Sequence, residues 1–170
     1  MKDCAHSVAT ANPEKEFEMR RAFLSTSLTA LVAAVLVSMP LMAAADDGPS
    51  GYTPGYWKNH PQAWSAAGLG PDDSFTEVFG VTTTFNVTLM DMLKATGGDA
   101  DALGRHAVAA LLNANHPEVA YPYSPDEIKV TVAATLSQYQ IALFSGNDLS
   151  TEKVSIEALK DVYEALNEGE

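Results

Sequence analysis

The sequence predicts an all-α protein, a small helical bundle of about four to six helices with an aromatic N-terminal segment packed across it. Apolar residues recur at three- and four-residue spacing through the second half of the chain, as they do on one face of a helix. Residues typical of helix starts and stops separate these runs. Only 81–87 (VTTTFNV) has the β-branched composition of a strand. A lone strand has nothing to pair with, so we expect an extended loop there.

Residues 19–45 have the three-part layout of a secretory signal peptide. A pair of arginines precedes an apolar run at 28–37, and small residues ending in Ala45 form the cleavage region. The alternative is a membrane anchor, but the apolar run is short for a span of about 20 residues. We therefore expect cleavage before Asp46 and a mature protein that is secreted, either periplasmic or extracellular.

Residues 1–18 fit poorly in front of a signal peptide, because acidic residues stand where positive charge is expected. We expect this segment to be an extension with no role in the fold. Residues 1–45 contain equal numbers of acidic and basic residues, so the formal net charge of −12 belongs to the mature chain. Such a charge repels nucleic acid and anionic membrane. The expected partner is instead an unknown extracellular ligand or a surface partner.

Cys4 is the only cysteine in the sequence, and it lies in the part predicted to be removed. The mature chain therefore has no disulfide, and helix packing must stabilise it without one. The same fact excludes a c-type haem site, a zinc ribbon and a thiol-dependent enzyme.

The mature chain divides into a lead-in and one domain. Gly, Pro and Ser residues make 46–55 a flexible lead-in, and 56–167 has the length of a single helical domain with one core. The aromatic segment 56–64 opens this domain. Because Pro61 cannot continue a helix, we expect two short turns joined at 59–60.

A short helix, beginning at Pro71 or Asp72 and ending at Gly80, precedes four helices with clearer boundaries. Thr88 and Asp91 have the spacing of a capping box and open the first of the four. Two consecutive glycines end that helix.

The other three helices have their own start and stop residues. Asp99 is placed to cap a helix at 100–114, whose many alanines permit close approach of neighbouring helices. Ser124, followed by proline and by glutamate three residues on, opens a helix that stops near Gly146. The last helix occupies 151–167, with an apolar stripe at helical spacing.

The two tryptophans, Trp57 and Trp64, lie in the aromatic segment. One interpretation is an aromatic platform for a sugar or another flat ligand. The interpretation that we favour is that the rings fill the core of a cysteine-free bundle, since each buries a large apolar area.

Asn-His-Pro occurs twice, at 59–61 and 115–117. Both copies suit helix-to-loop junctions, because proline prevents continuation of the helix. A sharper hypothesis uses the three histidines of the mature chain, since three imidazoles can bind zinc or copper and leave a position open. These are His60, His106 and His116. They lack local ligand spacing such as His-x-x-x-His, so we expect no cofactor and keep this metal site as the alternative.

His106 and Asn113 lie seven positions apart on the helix predicted at 100–114, so they share a face. That face is either a polar edge or a buried network. We favour a network that joins the helix to the Asn59-His60 junction, because a buried imidazole usually finds a hydrogen-bond partner. The residues predicted to organise the core or to bind a ligand are Trp57, Asn59, His60, Trp64, Arg105, His106, Asn113 and His116.

Sequence patterns of enzymes are missing. The chain has no Gly-x-Ser-x-Gly, no His-Glu-x-x-His, no phosphate loop and no dinucleotide fingerprint. Its scattered acidic residues do not define a general acid–base pair. We therefore predict a binding or structural role at the cell exterior, with a metal-dependent extracellular enzyme or metal-binding protein as the alternative.

Two blocks of the chain resemble one family. The segment 52–61 (YTPGYWKNHP) is similar to the opening of small secreted or surface-displayed bacterial domains that begin with a Thr-Pro-Gly-Tyr-Trp-Lys-Asn-His motif. The segment 102–114 (ALGRHAVAALLNA) also resembles that family, as do the residues that follow it at 116–117 and 121–124. The resemblance covers essentially all of 51–167.

The resemblance implies an exported domain without an established activity, found alone or as a module of larger surface proteins. It also implies a pair of cysteines in many members, one before the first motif and one near the C-terminus. Neither is present between residues 46 and 170 here. A disulfide of that kind therefore does not join the ends of this chain.

Overall fold

The computed structural model describes residues 51–81 and 87–169, which belong to a single compact unit. Within them the chain forms six α-helices and one 3-10 helix, which confirms the predicted all-α bundle. Three predictions fall outside the described residues: the signal segment expected at 19–45, the extension expected at 1–18 and most of the strand-like stretch 81–87. The helices are α1 (Pro54–Asn59), the 3-10 helix (Pro61–Ala67), α2 (Phe75–Phe79), α3 (Leu89–Lys94), α4 (Asp99–Asn115), α5 (Pro125–Phe144) and α6 (Ser150–Glu168).

Helix α4 is the centre of the bundle. It packs against α1, the 3-10 helix, α3, α5 and α6, and all its residues from Ala107 to Leu112 are fully buried. The alanines let neighbouring helices approach closely. Gly104 serves the same purpose toward α3, because a Cβ atom at this position would overlap the sulfur of Met92. Deep burial of α4 explains why a chain without structural disulfides can support a single core.

Two predicted helix starts are confirmed in detail. Thr88 and Asp91 form a reciprocal capping box at the start of α3, and Ser124 and Glu127 form one at the start of α5. In each, the hydroxyl of the cap residue accepts a hydrogen bond from the backbone N–H three residues on. The carboxylate at that position accepts one from the backbone N–H of the cap residue. Unpaired N–H groups at both helix starts are thereby satisfied.

Two other predicted starts are wrong. Helix α2 begins at Phe75 with Ser74 as its cap, several residues after the predicted Pro71 or Asp72. Gly98 precedes α4 as its cap residue, and Asp99 has a positive φ of 47° instead of capping the helix. The carboxylate of Asp99 lies 3.0 Å from the Nζ atom of Lys153 on α6, so this residue links two helices.

The lead-in predicted as flexible up to residue 55 is ordered from residue 51 onward. Thr53 caps α1, and α1 begins at Pro54. Gly51 lies so close to the C-terminal end of α6 that a Cβ atom would come within 2.6 Å of the carbonyl oxygen of Leu166. Across 51–81 and 87–169, none of the helices is both long and apolar enough for a membrane span.

Candidate functional site

The aromatic N-terminal segment folds into two short helices, as the sequence predicts. Pro54 occupies the first turn of α1, and the Thr53 hydroxyl accepts the backbone N–H of Tyr56 at 3.1 Å. His60 is at once the last residue of this turn and the cap of the 3-10 helix, which begins at Pro61. The proline has no N–H to donate, so it ends one helix and starts the next.

Both tryptophans of this segment lie in the core. Trp57 and Trp64 are 0% exposed. The Nε1 atom of Trp64 donates to the carbonyl oxygen of Trp57 at 3.0 Å, and the Nε1 atom of Trp57 donates to Oδ1 of Asn113 at 3.0 Å. Each indole is thus buried with its one polar atom satisfied. The geometry favours the core interpretation, and it leaves no ring face of either tryptophan for a flat ligand.

Asn113, on α4, holds the aromatic segment in place. Its Oδ1 atom accepts the Trp57 indole and the backbone N–H of Tyr52, the latter at 2.9 Å. Its Nδ2 group donates to the backbone carbonyl of Tyr52 at 3.0 Å and to Oδ1 of Asn167 at 2.9 Å. An asparagine side chain has two donor hydrogens and two acceptor lone pairs. All four are used, so this fully buried residue has no capacity left for a ligand.

Asn167, near the end of α6, extends the network. Its Nδ2 group donates to the backbone carbonyl of His106 at 3.0 Å, and its Oδ1 atom also accepts the hydroxyl of Tyr121 at 3.1 Å. The residue is 0% exposed. Four parts of the chain therefore meet through two asparagine side chains: the N-terminal segment, α4, the loop after α4 and the C-terminal turn of α6.

Three partly exposed rings form a stack on the outside of this segment. The centroids of Tyr52 and Tyr56 are 4.2 Å apart with an interplanar angle of 15°, and those of Tyr56 and His60 are 4.2 Å apart at 18°. We call these three residues the ring stack. His116 meets Tyr52 edge to face at a centroid distance of 6.4 Å. Lys58, exposed in the last turn of α1, is the only lysine or arginine between residues 46 and 93.

His60 is oriented by its own helix. Its Nδ1 atom lies 2.8 Å from the backbone carbonyl of Tyr56. A carbonyl only accepts, so Nδ1 carries the proton and the neutral ring presents Nε2 as a lone pair. This one hydrogen bond therefore fixes both the tautomer and the plane of the His60 ring.

His116 has the opposite tautomer. The backbone N–H of Glu118 donates to its Nδ1 atom at 3.3 Å, so Nδ1 is an acceptor and Nε2 carries the proton of the neutral ring. The ring also packs against Trp57 at a centroid distance of 5.8 Å. This imidazole therefore supports the buried indole and closes the end of α4.

His106 takes part in the network through its backbone and not through its ring. Its Nε2 atom is 3.8 Å from Oε1 of Glu164 on α6, and its Nδ1 atom is buried with no hydrogen-bond partner among the described residues. Burial lowers the pKa of His106 below its ordinary value of 6.5, against the opposing charge of Glu164. The ring faces α6, whereas the sequence analysis placed it toward the Asn59-His60 junction.

Arg105 and Asn59 have local roles. The Arg105 guanidinium donates to the backbone carbonyls of Ala95 and Gly97, each at 2.8 Å. It thereby satisfies carbonyl groups that follow the C-terminal end of α3. Asn59 is the exposed last residue of α1, and Asn115 occupies the same position in α4. The second Asn-His-Pro sequence is a helix-to-loop junction, as predicted, whereas the first joins α1 directly to the 3-10 helix.

The three histidines do not form a ligand set. In the described ranges, no group of three or more His, Cys, Asp or Glu side chains is arranged to hold a metal ion. Two of the imidazoles use Nδ1 in backbone hydrogen bonds, and the third is turned toward α6. Each of the three imidazole rings, those of His60, His106 and His116, therefore contacts another part of the fold.

Four residues of the site were not predicted from the sequence: Tyr52, Tyr56, Tyr121 and Asn167. The four-residue spacing of Tyr56 and His60 was the available signal, because residues four apart are neighbours on a helix surface. Tyr52 precedes the cap of α1 and gave no such signal. Asn167 and Tyr121 gave no local signal, since they join the network through tertiary contacts.

Comparison of the chain with protein-family models, with curated proteins and with solved structures gives no match.

Proposed function

We propose that the mature chain is an exported, acidic helical domain that binds a component of the cell exterior and does not catalyse a reaction. The ring stack of Tyr52, Tyr56 and His60 would be its contact surface. The observation that carries this proposal is the stack itself, three partly exposed rings fixed in one geometry.

Rigidity supports the proposal. The backbone of Tyr52 is bound on both its N–H and its carbonyl by buried Asn113, and Thr53 caps the helix that carries Tyr56. A surface whose side chains are already ordered loses little entropy on binding. Tyrosine is also a frequent anchor at binding interfaces, because it gives a large contact area with few rotatable bonds.

The chemistry of the residues around the stack indicates the kind of partner. Stacking covers both faces of the central Tyr56 ring, so a ligand meets ring edges and polar atoms. Lys58 lies two positions from Tyr56 on α1, so its charge is on a different side of that helix from the ring stack. Tyrosine and imidazole edges fit a hydroxyl-rich component of the cell envelope, whereas the net charge of −12 disfavours nucleic acid and anionic lipid.

Several of the residues predicted to bind a ligand are instead bonded within the fold. Asn113 has no free donor or acceptor, both indole N–H groups are bonded, and Arg105 binds two backbone carbonyls. The resemblance to exported bacterial domains without an established activity agrees with a binding role. A metal-dependent role for His60, His106 and His116 remains the competing proposal.

Co-sedimentation with envelopes isolated from the producing organism tests the binding role. We expect the purified protein to pellet with the envelopes and the Tyr56→Ala/His60→Ala variant to stay in the supernatant. Val154→Ala is the matched control, because it removes an apolar side chain that is 69% exposed on α6. Digestion of the envelopes with protease or oxidation with periodate then separates protein from polysaccharide partners. Equal pelleting of wild type and a normally folded double variant would contradict the proposal.

A further inference from the structure

Helix α5 has an apolar outer face in addition to its buried inner face. The inner face places Ile128, Val132 and Leu136 in the core. On the opposite side, Val130 is 66% exposed, Ile141 61% and Phe144 74%. With the partly exposed Ala134 and Ser137 between them, these residues recur at alternating spacings of four and three, which is one continuous stripe of a helix. We call these five positions the α5 stripe.

The stripe is unusual for this protein because it carries no charge. From Val130 to Phe144 the sequence contains no Asp, Glu, Lys or Arg, although the chain as a whole has a net charge of −12. A helix that is apolar on all sides is normally buried, and exposed apolar patches of this kind mark interaction sites. The hydroxyls of Thr131 and Thr135 bond to backbone carbonyls within the helix, so the inner face is satisfied and the outer face is the one left open.

We propose that the α5 stripe is the interface of a homodimer, in which the stripes of two copies pack antiparallel. Charge points to a second copy as the occupant. Two copies of a protein at −12 repel each other over most of their surfaces, and the stripe is a face on which they approach without opposing like charges. A basic partner would gain nothing from it, and an anionic membrane is repelled by the net charge of the chain.

The order of large and small residues supports the antiparallel arrangement. A twofold axis near Ser137 brings Val130 of one copy to Phe144 of the other, and Ala134 to Ile141. These contacts each pair a larger side chain with a smaller one, as interdigitating helices require, and the small Ser137 side chains meet at the axis. A parallel arrangement would instead set Phe144 against Phe144 and Ala134 against Ala134. Antiparallel packing also makes the contact isologous, which is the commonest symmetry of soluble oligomers.

The size of the contact sets the affinity range. The stripe is about 21 Å long at 1.5 Å per residue. One pair of helices this long buries less accessible surface than the roughly 800 Å² per partner of a standard interface. We therefore expect a dimer that dissociates on dilution, so that a concentration series resolves both species.

Sedimentation velocity of the exported protein over a concentration series is the first test. We expect the mass to rise from monomer to dimer in wild type, Ile141→Glu to remain monomeric, and Val154→Glu on α6 to dimerise like wild type. Position 141 is exposed, so melting curves should show that this variant is folded. A monomeric wild type at all concentrations, or equal dimerisation of folded Ile141→Glu, would overturn the proposal. Binding of monomers to phosphatidylcholine vesicles through the stripe would likewise overturn it in favour of a lipid surface.

Disulfide mapping tests the orientation. In a Cys4→Ser background the engineered cysteine is the only thiol, because Cys4 is the single cysteine of the sequence. We expect a mixture of Val130→Cys and Phe144→Cys proteins to oxidise to the mixed dimer, and each protein alone to cross-link poorly. Efficient cross-linking of each variant to itself, without the mixed product, would overturn the antiparallel interface.

Discussion

Replacement of Asn113 by alanine should destabilise this domain more than any other single change on the polar side of α4. The substitution removes four hydrogen bonds at once, two to the Tyr52 backbone, one to the Trp57 indole and one to Asn167. The Trp57 N–H is then buried and unpaired, which costs about 1–3 kcal/mol. The two Tyr52 groups are only partly buried, and losing their bonds costs about 1 kcal/mol each.

The sum is a loss of about 3–5 kcal/mol in the free energy of unfolding, a large share of the roughly 5–15 kcal/mol that stabilises a domain. Urea titration followed by tryptophan fluorescence measures it, because both tryptophans are buried and Trp57 bonds directly to the substituted residue. Asn115→Ala is the matched control. Asn115 donates only to the Leu111 carbonyl one turn earlier on the same helix, so its loss should be below about 1 kcal/mol.

The reasoning is refuted if the two variants unfold at the same urea concentration. That result would mean that the Asn113 bonds contribute no more than a local contact, and that the aromatic segment is held by apolar packing alone. A folded Asn113→Ala variant whose Trp57 emission shifts to longer wavelength would instead show the segment detached while the bundle persists.

Three further predictions concern other parts of the chain. Trp57→Ala and Trp64→Ala should each lower the free energy of unfolding by about 3–5 kcal/mol, measured by urea denaturation followed by circular dichroism; unchanged midpoints would indicate rings that face solvent. Because burial lowers the pKa of His106 from 6.5, only the unfolded chain takes up a proton just below pH 6.5, so stability should fall as the pH is lowered from there toward the folded-state pKa. The groups that bear on this ring are Glu164, Arg105, Lys160 and Asp161, and a His106→Leu variant should show a flatter dependence in that window; an identical slope contradicts the assignment. N-terminal sequencing of the exported protein should begin at or near Asp46, and a mature protein that retains 28–37 contradicts cleavage.

Local chemistry was the part of the fold that the sequence predicted well. The capping boxes at Thr88 and Ser124 and the junction at Pro61 depend on residues within three or four positions of one another. Their hydrogen bonds are available in the isolated segment, so tertiary packing had no reason to override them.

Predictions that depended on which helix face meets the core were less accurate. Leu143 and Val154 lie at helical spacing in the apolar runs of α5 and α6, but both are largely exposed. Helix α5 is apolar nearly all round, so periodicity cannot select its buried face. In α6 the first buried side chain is Ile156, two residues after Val154.

The sequence predicted some members of the candidate site but not the connections between them. Trp57, His60 and Asn113 were named from the sequence, and the structure joins Trp57 to Asn113. His106 was expected in the same network through its ring, whereas only its backbone carbonyl takes part. The partner that completes the network, Asn167, lies on α6, far from α4 in sequence, so only the packing of α6 on α4 could place it there.

The central claim is that the histidines and tryptophans of this chain build a fixed core and a binding surface without a bound metal ion. The melting temperature of the exported protein in excess chelator and in excess zinc tests it most directly. A metal held only by the folded state adds about 2.7 kcal/mol of stability at a concentration 100 times its dissociation constant. The account predicts that wild type melts at the same temperature in chelator and in zinc. His106→Leu should likewise melt at one temperature of its own under both conditions. A wild type that melts much lower in chelator, while His106→Leu does not respond to zinc, would contradict it.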